Sequence, residues 1–236
     1  MGWVVLRGGA GFEARLRGPV SRVLFGRILA VGAIASTLAG IGNLTTLLVT
    51  TQLRGFGPAA VAAYGIAARL EFLIVPLAFG VGSALTALVG RAVGAGDWST
   101  ALRTAWIGGL LALASTGAIG AAVALLAPRL VPALTSDPTV AAIAALALGY
   151  TGVAFGGLGL GLAMYFASMG AGRMAWPIAA SLSRITLAVG GGWWLANPVG
   201  LGIDGHFLGV ALGIAAYGAV TACGVLPSRW PGRRPR

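Results

Sequence analysis

Long apolar runs alternate with short polar segments along most of the chain. Each run approaches or exceeds the about 20 residues that a helix needs to cross about 30 Å of hydrocarbon. The runs are too long for barrel strands and lack a two-residue alternation, so helices are predicted throughout. The predicted spans cover residues 23–53, 59–89, 101–127, 140–169, 174–196 and 207–226.

The segments between the runs carry residues typical of turns and helix caps. "RGFGP" (54–58) ends the first span and places Pro58 in the first turn of the second. "GAGDWST" (94–100) offers Asp97 or Ser99 as the N-cap of the third span. "NPVGLGIDGH" (197–206) precedes the sixth span and predicts a solvated loop position for His206.

Composition places the chain among membrane proteins. Of its 236 residues, 58% are hydrophobic and 9% are charged, with a mean hydropathy of +0.92. Soluble domains contain about 25% charged residues. The 40 glycines favour close helix packing, because small residues let helix backbones approach in lipid. The predicted fold is an all-α membrane protein with six transmembrane helices in residues 22–226, between segments 1–21 and 227–236.

The basic charge sets the predicted orientation. The net charge is +11, from 16 arginines and no lysine. The arginines stand between apolar runs rather than on one face, so nucleic acid is not an expected partner. With both termini in the cytoplasm, twelve arginines fall inside and two outside, as the positive-inside rule requires. We therefore expect a multi-pass protein of the bacterial plasma membrane, surrounded by the lipid bilayer.

Three charged residues lie well inside the predicted spans, whereas Arg27 and Arg103 stand close to the ends of theirs. Arg184 lies about 16 Å along its helix from the preceding loop, which places it close to the membrane midplane. Arg69 stands two positions from Glu71 and so faces another side of its helix, which makes Arg184 the better partner for Glu71. A carboxylate there has a tunable pKa, so Glu71 is the candidate for proton or cation coupling; a structural ion pair is the alternative.

Pro76 interrupts the second span. It removes the hydrogen bond to the carbonyl of Phe72 and predicts a kink in the helix. Gly80 and Gly82, which follow, weaken the helix further. Two interpretations stay open: a kink that serves packing, or a hinge for alternating access.

Residues 59–97 resemble the start of the C-terminal six-helix half of multidrug and toxic compound extrusion (MATE) transporters. The motifs are "GIAAR" (65–69), Pro76, "FGVG" (79–82), "VGR" (89–91) and "GAG" (94–96). The resemblance implies an antiporter, coupled to H+ or Na+, that exports drugs or other organic compounds. It implies no cofactor besides the coupling ion, no metal site and no enzymatic activity.

The resemblance also implies a second lobe and a substrate cavity. Members have twelve helices in two lobes, so the expected partner is a missing N-terminal six-helix lobe or a second copy. Some members carry acidic cation-binding residues on the first and fourth helices of this lobe; here both helices lack them. The polar residues that stand there instead, together with one of the second span, are candidates to line the cavity: Asn43, Thr46, Tyr64, Tyr150 and Tyr165.

Other functions remain as alternatives. One alternative is a truncated fragment that does not transport. Another is a flippase of lipid-linked precursors, since related exporters share the helix count. An intramembrane serine protease needs a Gly-x-Ser-Gly loop, whereas Ser83 is followed by Ala84. One histidine without paired acids makes no metal site.

Overall fold

The computed structural model describes residues 22–230, which are almost entirely helical. The helices are α1 (Arg22–Leu53), α2 (Pro58–Gly94), α3 (Trp98–Leu130), α4 (Pro138–Gly170), α5 (Ala175–Ile185), α6 (Gly192–Ala196) and α7 (Ile203–Gly224). Short 3-10 turns follow α1 and α3, at Arg54–Phe56 and Val131–Ala133. No strand occurs within residues 22–230, and the predicted all-α fold is confirmed.

Five helical segments of the described region are long and apolar enough to cross a membrane. They are Gly32–Phe56, Pro58–Gly94, Trp98–Ala133, Pro138–Gly170 and Ile203–Gly224. The predicted span 174–196 is not among them, because a π-helical segment, Thr186–Gly191, divides it into α5 and α6. The three pieces follow one another without a break, and we call them the α5–α6 rod. The chain is a multi-pass membrane protein.

Aspartates begin two of the long helices. The Asp97 carboxylate accepts a hydrogen bond from the Thr100 amide at 3.0 Å and caps α3, while the Ser99 hydroxyl donates to the same carboxylate. Asp137 accepts from the amides of Thr139 and Val140 at the start of α4. Capping satisfies backbone donors that have no partner within the helix. These contacts fix where α3 and α4 start.

Two glycine turns lie at the same end of the bundle. Gly96 follows α2 and Gly172 follows α4, and both have positive φ, at 75° and 69°. Only glycine adopts this conformation without a steric cost, so each turn reverses the chain directly after its helix. The turns are neighbours because Gly90 and Gly170 pack together: a Cβ atom on Gly90 would lie 3.3 Å from the Gly170 carbonyl.

Helix α4 lies at the centre and contacts α2, α3 and α7. Small residues make these contacts close, as the sequence predicted. On the α3 side, a Cβ atom on Gly152 would lie 2.8 Å from the Gly120 carbonyl oxygen. On the α7 side, a Cβ atom on Gly218 would clash with the Gly157 carbonyl oxygen and lie 3.0 Å from its carbonyl carbon. Backbones this close gain dispersion energy along their whole length, the main attraction between helices in lipid.

A glycine stripe on α7 holds the α5–α6 rod. Cβ atoms on Gly205, Gly209 and Gly213 would lie 2.5–2.7 Å from backbone atoms of Ala196, Gly192 and Arg184, respectively. The spacing of four residues puts the three glycines on one face of α7. The rod is therefore packed directly against α7 along its length.

The chain forms two compact units, and the boundary between them, after Thr37, falls within α1. Residues 22–37 belong to the first unit. In the second unit Val49 and Leu53 of α1 are fully buried in the core, which also contains Tyr64 and Phe207.

The start of α7 differs from the prediction. The helix begins at Ile203 rather than near residue 207, so His206 lies in its first turn and is only 2% exposed. The Phe56 ring packs edge-on against the imidazole, with centroids 5.5 Å apart. The predicted solvated loop is wrong, because the close approach of Gly205 to Ala196 buries this turn.

Candidate functional site

An ion pair joins α2 to the α5–α6 rod. Nη2 of Arg184, in the last turn of α5, donates a hydrogen bond to Oε1 of Glu71 in α2. Each side chain is 16% exposed. It is the one ion pair that the structure shows between two residues of the described region. The predicted pairing of Glu71 with Arg184 rather than with Arg69 is therefore confirmed.

Local packing positions both partners. The Arg184 carbonyl lies where a Cβ atom on Gly213 would approach it to 2.7 Å, so α7 carries a glycine opposite the arginine. Glu71 follows Tyr64 by two helical turns and lies on the same face of α2. This face of α2 points into the core between α1, α2 and α7. The two charges thus meet inside the lobe.

Two buried tyrosines accompany the pair. Tyr64 is close enough to Glu71 and Arg184 for both charges to act on its hydroxyl, which faces the Thr46 side chain of α1. Tyr217 of α7 lies near Arg184, and a Cβ atom on Gly161 of α4 would clash with its ring. Both hydroxyls can donate or accept a hydrogen bond. We call Glu71, Arg184, Tyr64 and Tyr217 the charged cluster.

Electrostatics makes the two charges depend on each other. Removing a carboxylate or a guanidinium from water costs several kcal/mol, and the partner's charge offsets this only while the pair is intact. The charged cluster therefore holds one acid and one base, and neither charge is offset without the other.

Several candidates from the sequence lie elsewhere. Arg69 is exposed and forms no ion pair with Glu71. Asn43 is exposed and donates to the Ala39 carbonyl of its own helix at 3.1 Å. Tyr150 of α4 lies beside the Asp204 carboxylate at the start of α7. Tyr165 is half-buried and lies near Tyr217, at the edge of the charged cluster.

The three residues of the proposed hinge have different surroundings. Helix α2 continues through Pro76 without a break, and Pro76 is exposed. Gly80 has open space around it, whereas a Cβ atom on Gly82 would clash with the Phe166 ring of α4. Gly82 thus serves the packing of α2 against α4.

Sequence reasoning missed a polar contact at the end of α1. Gln52 Nε2 donates to the Val189 carbonyl at 3.2 Å, within the π-helical segment of the rod. A π-helical turn alters the regular pairing of carbonyls and is frequent at functional sites. The signals were a lone glutamine at the end of an apolar span and three successive glycines, 190–192. Tyr217 was also missed, because no motif or spacing in the sequence distinguishes this tyrosine from the others.

Comparison with known proteins gives a consistent result. A family model described as MatE matches residues 29–194, well over half of the chain. The "Probable multidrug resistance protein NorM" of Caulobacter vibrioides is 32% identical over 159 residues, which are 64% of this chain and 32% of the relative. The chain spans about a third of the length of the curated relatives that it matches.

Solved transporters share the fold. The MATE transporter ClbM in complex with Rb+ superposes with a TM-score of 0.80 and 20% identity, over 86% of this chain and 47% of ClbM. The Vibrio cholerae MATE transporter VcmN in its bent form gives 0.75 and 24%, over 82% of this chain and 44% of VcmN. At these identities the likeness concerns the fold alone.

Proposed function

The chain belongs to the MatE family, and from this membership we propose that it forms one lobe of a cation-coupled antiporter that exports drugs or other organic compounds. The observation that carries the proposal is the Glu71–Arg184 pair inside the lobe. The name of the Caulobacter relative, a multidrug resistance protein, supports the substrate class.

Exchange of partners at Glu71 is the proposed coupling step. In the structure, the positive charge of Arg184 neutralises the Glu71 carboxylate. When H+ or Na+ binds the carboxylate, Arg184 is released and needs other acceptors. The hydroxyls of Tyr64 and Tyr217 are nearby acceptors for it. Because the site is shielded from water, a cation bound at Glu71 and the arginine exclude each other, which links ion binding to a movement of the rod relative to α2.

A second lobe completes the proposed transporter. The chain covers 47% of ClbM and 44% of VcmN, so a second six-helix lobe of similar size has room in the same architecture. The second lobe is either an N-terminal half or another copy of this chain. Chemical cross-linking in membranes of cells that carry this chain as their one MatE protein distinguishes the two: a band at twice 23.5 kDa then indicates a second copy.

The proposed location is the bacterial inner membrane with both termini in the cytoplasm. Single cysteines placed at Arg173 and Arg129, in a Cys223→Ser background, test this orientation with a membrane-impermeant thiol reagent on intact cells. We expect labelling at position 129 and none at position 173. The reverse pattern would contradict the orientation.

Dye efflux in a pump-deficient host tests the function. We expect efflux by the chain, alone or with a second lobe, and at least tenfold slower efflux by Glu71→Gln and by Arg184→Gln. Asp137→Asn, a change of an acid at a helix cap, is the matched control and should retain efflux. Full efflux by Glu71→Gln would exclude a coupling role for this carboxylate. No efflux by the native chain in either setting would instead favour a non-transporting fragment.

A further inference from the structure

Two arginines and three tryptophans meet at the end of the bundle that carries the glycine turns. The Arg229 guanidinium stacks on the Trp176 ring, 3.9 Å from its centroid, and the Arg173 guanidinium lies 5.6 Å from that of Trp98. Trp98 and Trp230 contact edge to face, with centroids 6.0 Å apart. We call these five residues the arginine–tryptophan cluster.

Backbone contacts make the cluster a built structure rather than loose side chains. The segment after α7 turns back on itself, with the amides of Arg229 and Trp230 donating to the Leu226 carbonyl. Arg173 Nη1 donates to the Arg229 carbonyl at 2.7 Å, and the Trp106 indole donates to the Val225 carbonyl at 2.9 Å. Trp230 is almost completely buried. The Arg173 side chain is therefore fixed to the backbone of Arg229.

Both arginines keep positive charge at an exposed position. Within the described region neither pairs with a carboxylate, and the nearby Asp97 carboxylate already accepts from Ser99 and Thr100. Stacking on an indole uses the flat face of a guanidinium and leaves its N–H edge for an anion. Arg91 and Arg103, also exposed, add positive charge at the same end.

We propose that the arginine–tryptophan cluster binds the phosphate of an anionic phospholipid headgroup. Tryptophan is favoured at the boundary between hydrocarbon and headgroups. The three tryptophans therefore indicate that the cluster lies at the depth of the headgroups. Guanidinium edges match phosphate oxygens in geometry and charge. Basic pockets between transmembrane helices bind such headgroups. The site is separate from the charged cluster and does not depend on the proposed transport.

Lipid retention by the purified full chain tests the site. The chain is titrated with phosphatidylglycerol and with phosphatidylcholine in mixed micelles, and bound lipid is counted by native mass spectrometry. We expect a preference for phosphatidylglycerol. The double variant Arg173→Gln/Arg229→Gln should weaken its binding about thirtyfold, since each arginine near a charged surface contributes about fivefold. Arg129→Gln, which removes an exposed arginine at the other end of α3, is the matched control and should bind as the native chain does.

Two further arms keep the proposal falsifiable. The preference for phosphatidylglycerol must weaken as the salt concentration rises, because exposed charges are screened over about 8 Å at 0.15 M salt. This measurement uses the native chain, so it tests the proposal even if the double glutamine variant does not fold. Equal binding of both lipids, or binding unchanged in a folded double variant, would overturn the proposal. Displacement of the lipid by millimolar inorganic phosphate would assign the site to free phosphate instead and would likewise overturn it.

Discussion

Arg184 donates a hydrogen bond to Glu71 across 113 positions of sequence, from the end of α5 to the middle of α2. Elsewhere the lobe is held together mainly by glycine contacts and apolar side chains. The pair is thus a specific link within a lobe whose contacts are mainly non-directional. Its strength depends on the charge of both partners, which a bound ion can change.

Breaking the pair from one side should destabilise the lobe strongly. Glu71→Gln or Arg184→Gln leaves a partly buried charge without its partner, which costs about 3–5 kcal/mol. The double variant Glu71→Gln/Arg184→Gln leaves no charge and should recover most of that loss. Denaturant unfolding in detergent, arranged as a double-mutant cycle, measures the coupling energy.

Arg69→Gln is the control for these variants. Arg69 is exposed and lies on another side of α2, so its change should shift stability by no more than about 0.5 kcal/mol. Additive losses for Glu71 and Arg184, or an equal loss for Arg69, would show that the pair is not the link described.

The glycine stripe of α7 should tolerate no added methyl group. A Cβ atom on Gly209 would lie 2.6 Å from the Gly192 nitrogen, a backbone atom that cannot turn aside. Overpacking of this kind costs about 1–3 kcal/mol, so Gly209→Ala should lower the unfolding midpoint in detergent. Gly149→Ala is the matched change, since no atom lies within 4 Å of its Cβ position. It should leave the midpoint unchanged or raise it, because alanine is the better helix former.

Gln52 should stabilise the π-helical segment locally. Gln52→Ala removes the hydrogen bond to the Val189 carbonyl, which is worth about 0.5–1.5 kcal/mol. Hydrogen exchange of residues 186–191 should become faster by about two- to tenfold, while exchange in α3 stays the same. Thr51→Ala, the neighbouring change, removes only a bond within α1, from Thr51 to the Leu47 carbonyl. If both variants speed exchange equally, the contact across the helices is not responsible.

Asp97 gives α3 a predicted acid sensitivity. Hydrogen bonds from the Thr100 side chain and amide lower the pKa of Asp97 from 3.8 to about 2. A carboxyl group with a lowered pKa stabilises the folded state above its ordinary pKa, and this stabilisation is lost as the pH falls through the folded pKa. Stability should therefore decline between pH 4 and pH 2, in part through Asp97.

Asp97→Asn separates titration from capping, because asparagine also caps helices. The variant should lose part of the slope of stability against pH between about pH 4 and pH 2 and keep α3 intact. A slope identical to that of the native chain would show that Asp97 does not contribute to it.

The positions of the long helices α1 to α4 followed from simple physical signals. Apolar run length predicted where these four helices lie, and Asp97, one of two candidate caps, predicted the start of α3 because its carboxylate accepts from a backbone amide there. The pairing of Glu71 with Arg184 was predicted because Arg69 faces another side of α2 and a charge within a membrane span is usually paired.

The details that depend on packing between distant segments were beyond these signals. The burial of His206 comes from the contact of Gly205 with the backbone of Ala196, which no local pattern of residues reports. The π-helical segment has the same apolar composition as an ordinary transmembrane helix, so its sequence does not reveal the π-helical turns. Tyr217 joins the charged cluster because Gly161 of α4 makes room for its ring, and a pattern of glycines does not say which neighbour fills the space.

Gradient-driven uptake into proteoliposomes tests the proposed coupling most directly. The native chain, with its second lobe if required, is compared with the neutral double variant Glu71→Gln/Arg184→Gln, whose folding is checked first by the unfolding measurement above. The coupling proposal predicts that an imposed H+ or Na+ gradient drives accumulation of an organic cation by the native protein and none by the double variant. Accumulation by the folded double variant at the native rate would contradict it.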